Sequence, residues 1–403
     1  MRVVFLMEQH IGHRSFYLNL RRYVSIDPRI DPRWVEISYN QPGGWIERSP
    51  LIPAAWKGSL RGLVQTRRGI AAFPAEIAFF NTQSPASFVA DRLSASDARR
   101  GAARRYILCT DITPLQYTGM ALDYHHRSTL RGPFKAIKDH LDRAVFRGAA
   151  HVIAWSNWTR DSLLGDYGLP EDHVSVIPPG VDLEIWHPSL RKRAAESGTR
   201  KAEIRKRKVD SGQRSAPPLK LLFVGGDFTR KGGRVLLEAL KQLDLAVFEP
   251  HLVTHEAVPH QPGMHIYHGL EPNSPDLVRL YQESDLFVLP SLAEAFGIAA
   301  VEALACGLPV IAARVGGLLD VVEDGENGLL VPPGDANALA QAILHLATDR
   351  DMLLRMGQRA RAIAEERFSA EKNANRCVAL LLQHGLAQAG SSQSSPRLSE
   401  RPA

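Results

Sequence analysis

Short apolar runs alternate with helix-like segments through the first half of this chain. The run Val3 to Met7 ends in polar residues and Gly12, and a helix-like stretch follows from Ser15 through Tyr23. Similar apolar runs recur, with further helix-like segments between them, at residues 77–80, 106–109, 152–155 and 174–177. This alternation predicts a parallel sheet covered by helices on both faces.

The alternation restarts at Leu219 after an interruption. Apolar runs predict strands at residues 219–224, 285–289 and 310–313, and apolar spacing predicts helices at 234–243, 336–347, 352–366 and 369–384. A chain of 403 residues also exceeds what one core usually serves, at roughly 150 residues per domain. We therefore expect two doubly wound α/β lobes, at residues 1–185 and 218–367, and a final helix at 368–388.

The interruption, residues 186–217, has a different composition. The stretch Arg191 to Lys208 is crowded with Arg and Lys, and its acids are Glu196 and Glu203. We interpret it as a linker or surface insertion, which is either a solvated spacer or a contact with an anionic membrane. Nucleic acid is not expected as a partner, because no aromatic residues are interleaved to stack on bases. Ser, Gln and Pro predict a disordered tail at 389–403.

Bulk composition limits the class of protein. Hydrophobic residues make up 44% and charged residues 23%, as in a folded soluble protein. The net charge of +6 implies attraction to anions. The cysteines at 109, 306 and 377 have no paired spacing, so neither a disulfide framework nor a zinc site is expected. With no export signal or membrane-spanning run, we expect a cytoplasmic protein, in peripheral contact with the inner membrane face if the basic segment binds lipid.

The segment Pro290 to Gly307 carries the clearest chemical signal. An apolar strand ends in a loop that contains Glu294 and Gly297, and small apolar residues then continue as a helix that includes Glu302. A helix that begins at the carboxyl end of a strand favours an anion, and a glycine lets a phosphate approach the backbone. The two carboxylates can accept hydroxyls of a nucleotide sugar. The alternative makes Glu294 a helix cap and Glu302 an exposed helical residue.

The spacing of these carboxylates resembles the E-x7-E signature of the retaining family-four (group 1) glycosyltransferases. Segments that match the family in the same order are residues 151–182, Phe223-Val224-Gly225, Arg230-Lys231-Gly232, Val315-Gly316-Gly317 and 324–333. The resemblance implies a GT-B fold, in which two Rossmann-like domains face each other. It makes residues 1–185 the acceptor-binding domain, residues 218–367 the nucleotide-sugar-binding domain, and 368–388 a helix that returns to the N-terminal domain.

The resemblance also implies roles for single residues in the C-terminal half. Glu294 is expected to bind hydroxyls of the donor sugar, and Glu302 to hold the ribose. Three consecutive residues are expected to offer backbone N–H groups to the sugar and phosphates: Phe296, Gly297 and Ile298. Arg230 and Lys231 are expected to neutralise the diphosphate leaving group in place of a metal ion, although such a pair in isolation is typical of solvated surface.

Two positions in the N-terminal half complete the expected site. Gly12 stands where the family places a glycine-rich loop against the reaction centre, and a simple turn glycine is the alternative. Asp111 stands where many relatives carry a histidine, so the resemblance gives it a catalytic role; a helix or turn cap is the alternative. Gly226 departs from the family, since many members have an arginine there.

The implied function is transfer of a sugar, with retained anomeric configuration, from a nucleotide-diphosphate donor to a hydroxyl of a glycan, lipid or small molecule. Electrostatic stabilisation of the leaving phosphate and positioning between the lobes would supply the acceleration. No cofactor and no metal ion are expected, and a uridine diphosphate carrier is favoured over guanosine diphosphate. The alternatives are a nucleotide-sugar epimerase of the same fold and a non-catalytic protein that binds nucleotide sugar or an anionic surface.

Overall fold

The computed structural model describes residues 1–9, 11–39, 44–49, 51–52, 54–87, 89, 105–120, 133–189, 217–259 and 261–391. The basic run Arg191 to Lys208 and the tail beyond residue 391 lie outside these ranges. In the part of the chain that the structure describes, no helix is both long enough and apolar enough to cross a membrane.

The N-terminal lobe is a six-stranded parallel sheet in the order β2-β1-β3-β4-β5-β6. Its strands are β1 (Arg2–Glu8), β2 (Asp31–Ile37), β3 (Ile77–Phe80), β4 (Arg105–Thr110), β5 (His151–Ala154) and β6 (Val174–Val176). Its helices are α1 (Ile11–Val24), α2 (Trp45–Arg48), α3 (Ala54–Ala71), α4 (Gln83–Ser87), α5 (Pro114–Gly119), α6 (Pro133–Gly148) and α7 (Asn157–Gly165). The inner strands are buried on both faces, which explains their continuous apolar runs.

The C-terminal lobe is a second six-stranded parallel sheet, in the order β12-β11-β10-β7-β8-β9. Its strands are β7 (Leu219–Val224), β8 (Phe248–Val253), β9 (His265–Tyr267), β10 (Leu286–Leu289), β11 (Val310–Ala313) and β12 (Gly328–Val331). Its helices are α8 (Gly233–Leu240), α9 (Pro275–Glu283), α10 (Ile298–Ala305), α11 (Leu318–Val321), α12 (Ala336–Thr348) and α13 (Arg350–Arg367). The strand order reverses between β7 and β10, where ligands of doubly wound sheets bind.

The chain passes between the lobes at two adjacent places. Val181 bridges to Ser369 in parallel, and its N–H donates to the carbonyl of Phe368 at 2.8 Å. The last helix, α14 (Ala370–Ser391), then packs against α1 of the N-terminal lobe. The end of the chain therefore belongs to the lobe with which the chain begins.

Trp186 corrects one boundary of the expected linker. Its ring is fully buried and packs edge-on to Tyr281 at 5.1 Å, while its indole N–H donates to Asn273 at 3.0 Å. Its carbonyl accepts from Arg361 on α13 at 2.9 Å. The C-terminal lobe thus holds the chain at Trp186, so this residue does not belong to the linker or insertion predicted to begin at residue 186.

A carboxylate of one lobe holds a helix of the other. Asp320, on α11, accepts from the backbone N–H of Asn157 at 2.9 Å and from that of Trp158 at 3.3 Å. These groups are unpaired donors in the first turn of α7, where a negative charge is also favoured by the helix dipole. The lobes are therefore in direct polar contact beside the cleft that separates them.

Candidate active site

A cleft of about 450 Å³ opens between the two lobes. It lies where β1 and β4 of one sheet and β7 and β10 of the other end. All nine candidate residues predicted from the sequence line it: Gly12, Asp111, Arg230, Lys231, Glu294, Phe296, Gly297, Ile298 and Glu302. The structure thus brings together residues that are up to 290 positions apart in the chain.

The loop after β10 points the start of α10 into this cleft. Gly297 is the N-cap of α10 with φ of 99°, a conformation that disfavours any side chain, and it makes no side-chain cap hydrogen bond. The first two N–H groups of α10, those of Ile298 and Ala299, lack an acceptor in the helical pattern, and both residues line the cleft, where these groups can donate to an anion. The alternative interpretation of Glu294 as the cap of this helix is wrong.

The glycines at 316 and 317 explain how this loop is held so tightly. A Cβ at Gly316 would overlap the carbonyl oxygen of Glu294, and one at Gly317 would overlap that of Ala295. The Gly317 N–H also donates to the Glu294 carbonyl at 3.3 Å. The paired glycines therefore let the backbone of one loop pack directly on the other.

Lys231 and Glu294 form a buried ion pair in the floor of the cleft. The Lys231 ammonium contacts Glu294 Oε2, and Ser291 Oγ donates to the same oxygen at 3.3 Å. The lysine and glutamate side chains are only 16% and 7% exposed. Burial lowers the pKa of Lys231, and the Glu294 carboxylate opposes that shift. A Cβ at Gly225 would come within 2.8 Å of Lys231 Cβ, so this glycine leaves room for the lysine to cross the end of β7.

Arg230 lies beside this pair in a fixed orientation. Its Nε donates to Asp227 at 3.1 Å, and its guanidinium also donates to the carbonyl of Ala293 at 3.0 Å. Its own carbonyl accepts from the Leu292 N–H at 2.8 Å. The residue therefore ties the loop after β7 to the loop after β10, and its side chain keeps a positive charge at the wall of the cleft.

Glu302 is buried, which excludes the alternative of an exposed helical residue. Only 6% of the residue is exposed, and Tyr281 Oη donates to its Oε2 at 3.1 Å. Burial raises the pKa of Glu302 to about 8, against the smaller lowering effects of the Tyr281 hydrogen bond and of Lys231. The carboxyl group therefore keeps its proton to a higher pH than an exposed glutamate does.

The N-terminal lobe contributes Asp111, paired with a residue that the sequence did not single out. Asp111 Oδ2 lies 3.6 Å from His13 Nε2, and the ring of His13 lies 5.0 Å from that of Trp155. Burial raises the pKa of Asp111, and His13 partly offsets that effect. The N-cap of the adjacent α5 is Thr113, so the cap alternative for Asp111 is wrong for that helix.

His13 and Gly12 lie in the first turn of α1, which begins four residues earlier than the sequence pattern predicted. Gly12 therefore lies inside a helix and not in a turn, and a Cβ there would sit 3.9 Å from Ile298 of the opposite lobe. The motif Ile11-Gly12-His13 was visible in the sequence, but nothing local showed that its histidine would meet Asp111.

The far end of the cleft comes from strands that the sequence pattern did not predict. Thr254 follows β8 and Gly269 follows β9, and both line the cleft together with Glu271. Thr254 Oγ1 lies 3.4 Å from the carbonyl oxygen of Gly226, which is the position of the family departure. The glycine at 226 leaves this end of the cleft open.

Two facing doubly wound lobes, with an anion-directed helix start in the cleft between them, define the GT-B class of fold. Solved structures share it: sucrose-phosphate synthase from Thermosynechococcus elongatus has a TM-score of 0.69 at 19% identity, covering 96% of this chain and 100% of that one. HepE from Anabaena, solved in complex with UDP and glucose, has a TM-score of 0.64 at 19% identity, covering 94% and 99%. The expected fold is confirmed.

Sequence comparison then identifies the family. The family description "Glycosyltransferase Family 4" matches residues 33–185, and "Glycosyl transferases group 1" matches residues 260–363. The D-inositol 3-phosphate glycosyltransferase of Paenarthrobacter aurescens (strain TC1) is 30% identical over 237 residues, or 57% of this chain and 56% of that protein. That of Nocardia farcinica (strain IFM 10152) is 36% identical over 243 residues, or 55% and 50%. The chain spans about half the length of these curated relatives, and it belongs to the group 1 glycosyltransferases.

Proposed function

We propose that this chain transfers a sugar from a nucleotide-diphosphate donor to an acceptor hydroxyl, with retention of anomeric configuration. One observation carries the proposal: Lys231, Glu294 and the start of α10 meet the His13–Asp111 pair across a single cleft. The C-terminal side of this cleft offers positive charge and backbone N–H groups. The N-terminal side offers a carboxylate and an imidazole.

The donor is proposed to lie along the C-terminal lobe. Its diphosphate would accept from the first N–H groups of α10 and face Lys231 and Arg230, which together balance its charge. Glu302 would hydrogen-bond to the ribose hydroxyls. The ribose would then replace Tyr281 as the hydrogen-bond partner of this buried carboxyl group, whose pKa is raised. HepE was solved with UDP-glucose, which supports a uridine diphosphate carrier as the first choice.

The sugar is proposed to lie between the lobes, with Glu294 on its hydroxyls and Asp111 on the side from which the acceptor arrives. The acceptor hydroxyl attacks on the face from which the diphosphate leaves, so the C–O bond to the phosphate breaks as the new glycosidic bond forms. Charge develops on the leaving phosphate, where Lys231 and the α10 N–H groups are already oriented. The acceptor proton passes to the departing phosphate oxygen. Neither the exchange of bonds at the sugar nor the proton transfer needs a side-chain nucleophile or a metal ion.

A panel of UDP-, GDP- and ADP-sugars in a thermal-shift assay tests the donor site, because a ligand of the native state raises the melting temperature by mass action. We expect one nucleotide class to stabilise the wild type and to lose its effect in Glu302→Ala. Glu366→Ala is the matched control, since it removes an exposed carboxylate from another helix of the same lobe. No shift with any nucleotide sugar would contradict the proposal.

Turnover separates the proposed transferase from its two alternatives. With the identified donor, a transferase releases the nucleoside diphosphate and forms a glycoside, and NMR of that product reports whether the anomeric configuration is retained. Inositol phosphates are sensible first acceptors because the relatives are named for them. Isomerisation of the free or nucleotide-bound sugar without a glycoside would indicate an epimerase, and binding with no product from any acceptor would indicate a binding protein.

A further inference from the structure

Three potential metal ligands lie on one face of the C-terminal sheet, on its last two strands, β8 and β9. Glu249 and His251 are two residues apart on β8, so the alternation of a strand puts both side chains on the same face. The parallel register sets His265 of β9 opposite His251. Strand geometry therefore brings two imidazoles and one carboxylate together, although the histidines are 14 positions apart in the chain.

Two of the three distances between these groups are near those of ligands around a single ion. His251 Nε2 lies 3.0 Å from Glu249 Oε1, His265 Nε2 lies 3.4 Å from the same oxygen, and one ligand atom from each residue lies within 4.8 Å of the others. Zinc bonds of about 2.1 Å in tetrahedral geometry separate neighbouring ligand atoms by roughly 3.4 Å. A small adjustment of His265, whose side chain is 52% exposed, would close the set.

A second contact orients the most buried ligand. His251 Nδ1 lies 2.9 Å from Tyr267 Oη, so in the tautomer that carries its proton on Nδ1 the ring donates there, and Nε2 presents its lone pair beside Glu249. Metal-binding histidines commonly donate their other ring nitrogen to such a partner, which fixes the tautomer. Tyr267 is two residues beyond His265 on β9 and so occupies the same face of the sheet.

We propose that Glu249, His251 and His265 bind one divalent transition-metal ion of the Zn²⁺ class. Two imidazoles and a carboxylate are borderline nitrogen and oxygen donors that suit such ions, whereas Mg²⁺ and Ca²⁺ prefer oxygen ligands alone. The nearest positive charge on β7 is that of Lys220, which is in register with Glu249. Its ammonium lies 3.8 Å from Glu283 and pairs with that carboxylate. The site is distinct from the cleft, and it would brace the edge strand β9 against β8.

Isothermal titration with ZnCl₂, on full-length protein freed of any oligohistidine tag, tests the proposal. We expect one Zn²⁺ per chain at this site, and no comparable binding of Mg²⁺ or Ca²⁺. Tyr267→Phe should weaken the affinity by about 10- to 100-fold, because it removes the orienting contact and no ligand. His265→Ala removes a ligand and should weaken it further.

His345→Gln is the matched control, since it removes an exposed histidine from α12 of the same lobe. The bound metal should also raise the melting temperature of the wild type and of this control, but not of His265→Ala. Co²⁺ gives a second readout, because its visible spectrum reports nitrogen coordination and should be lost in His265→Ala. The proposal is overturned if Zn²⁺ does not bind, if His265→Ala binds it as well as the control, or if Mg²⁺ binds equally.

Discussion

The Lys231–Glu294 pair allows stability and catalysis to be separated in one set of variants. Lys231→Met removes the ammonium but leaves Glu294 Oε2 with Ser291 Oγ as its remaining contact within the cleft floor. Breaking a buried pair costs about 3 to 5 kcal/mol. We expect the lower end, about 3 kcal/mol, because 16% of the lysine side chain is exposed and water can reach the carboxylate.

That cost should be visible as a change in melting temperature. For a lobe of this size, 1 kcal/mol corresponds to about 2 to 4 °C, so Lys231→Met should melt roughly 6 to 12 °C lower. Adding Glu294→Gln removes the orphaned charge, and the double variant should recover about 2 kcal/mol of that loss. Lys241→Met is the control: this lysine also pairs with a glutamate, Glu238, but with a side chain 57% exposed, and it should change stability by less than about 0.5 kcal/mol.

Activity should not recover with stability. If Lys231 stabilises charge on the leaving diphosphate, its loss should lower kcat by about 100- to 1000-fold, the range seen when one preorganised donor is removed. The double variant should stay at that level or below it. Stability losses that simply add would show that the two charges are not coupled, and a Lys231→Met enzyme with wild-type kcat would refute the leaving-group role.

Three further predictions concern burial and backbone. Between pH 4.5 and 8 native Glu302 keeps a proton that the unfolded chain has lost, so its contribution to the free energy of unfolding falls as the pH rises. In a plot of melting temperature against pH, Glu302→Gln should therefore show a smaller slope over this range. Burial lowers the pKa of His151 to about 4, so its contribution is lost as pH falls from 6.5 towards 4, by about 2 kcal/mol after allowance for partial solvation; melts at pH 7.5 and 5.0 should differ less in His151→Asn. Gly232 and Gly325 both have φ near 80°, but only a Cβ at Gly232 would overlap a backbone atom, the Pro290 carbonyl, so Gly232→Ala should melt well below Gly325→Ala. Equal melting temperatures for the two alanine variants would contradict the packing described for the loop after β10.

Elements with a strong local signal were predictable from the sequence. The strands at 77–80, 219–224 and 310–313 were predicted with the bounds that the structure has, and the helix that follows Gly297 and includes Glu302 was also predicted. Each is a largely buried apolar run or a helix of small apolar residues, so its pattern can be recognised from consecutive residues alone. The family resemblance, confirmed by the comparisons, supplied the arrangement of the two lobes.

The edge strands β2 and β9 were missed for a physical reason. Strand β2 begins Asp31-Pro32-Arg33, and β9 has only three residues, one of which is the exposed His265. An edge strand pairs on one side and stays partly in solvent, so it lacks the apolar run that identifies an inner strand. Strand β8 is an inner strand, but Glu249, Pro250 and His251 interrupt its apolar run. The metal cluster and the far end of the cleft depend on β8 and β9, so neither was visible in the sequence.

Contacts between distant segments were the other limit. The burial of Glu302 depends on Tyr281, 21 residues earlier, and the partner of Asp111 is His13, 98 residues earlier. Trp186 was assigned to a linker because the basic run after it dominated the local composition. In each case the deciding neighbour comes from another element, and a single sequence does not show which elements meet.

The return of α14 to the N-terminal lobe determines how this molecule can be taken apart. A fragment ending near residue 185 would lack the helix that covers α1, and would expose the apolar surface that Ala374, Cys377 and Leu381 bury. A C-terminal fragment would carry that helix with nothing to cover. Exchange of the donor lobe between two such proteins therefore requires two cuts, one on each side of the bridge between Val181 and Ser369. The N-terminal lobe is therefore one folding unit built from two segments that lie at opposite ends of the sequence.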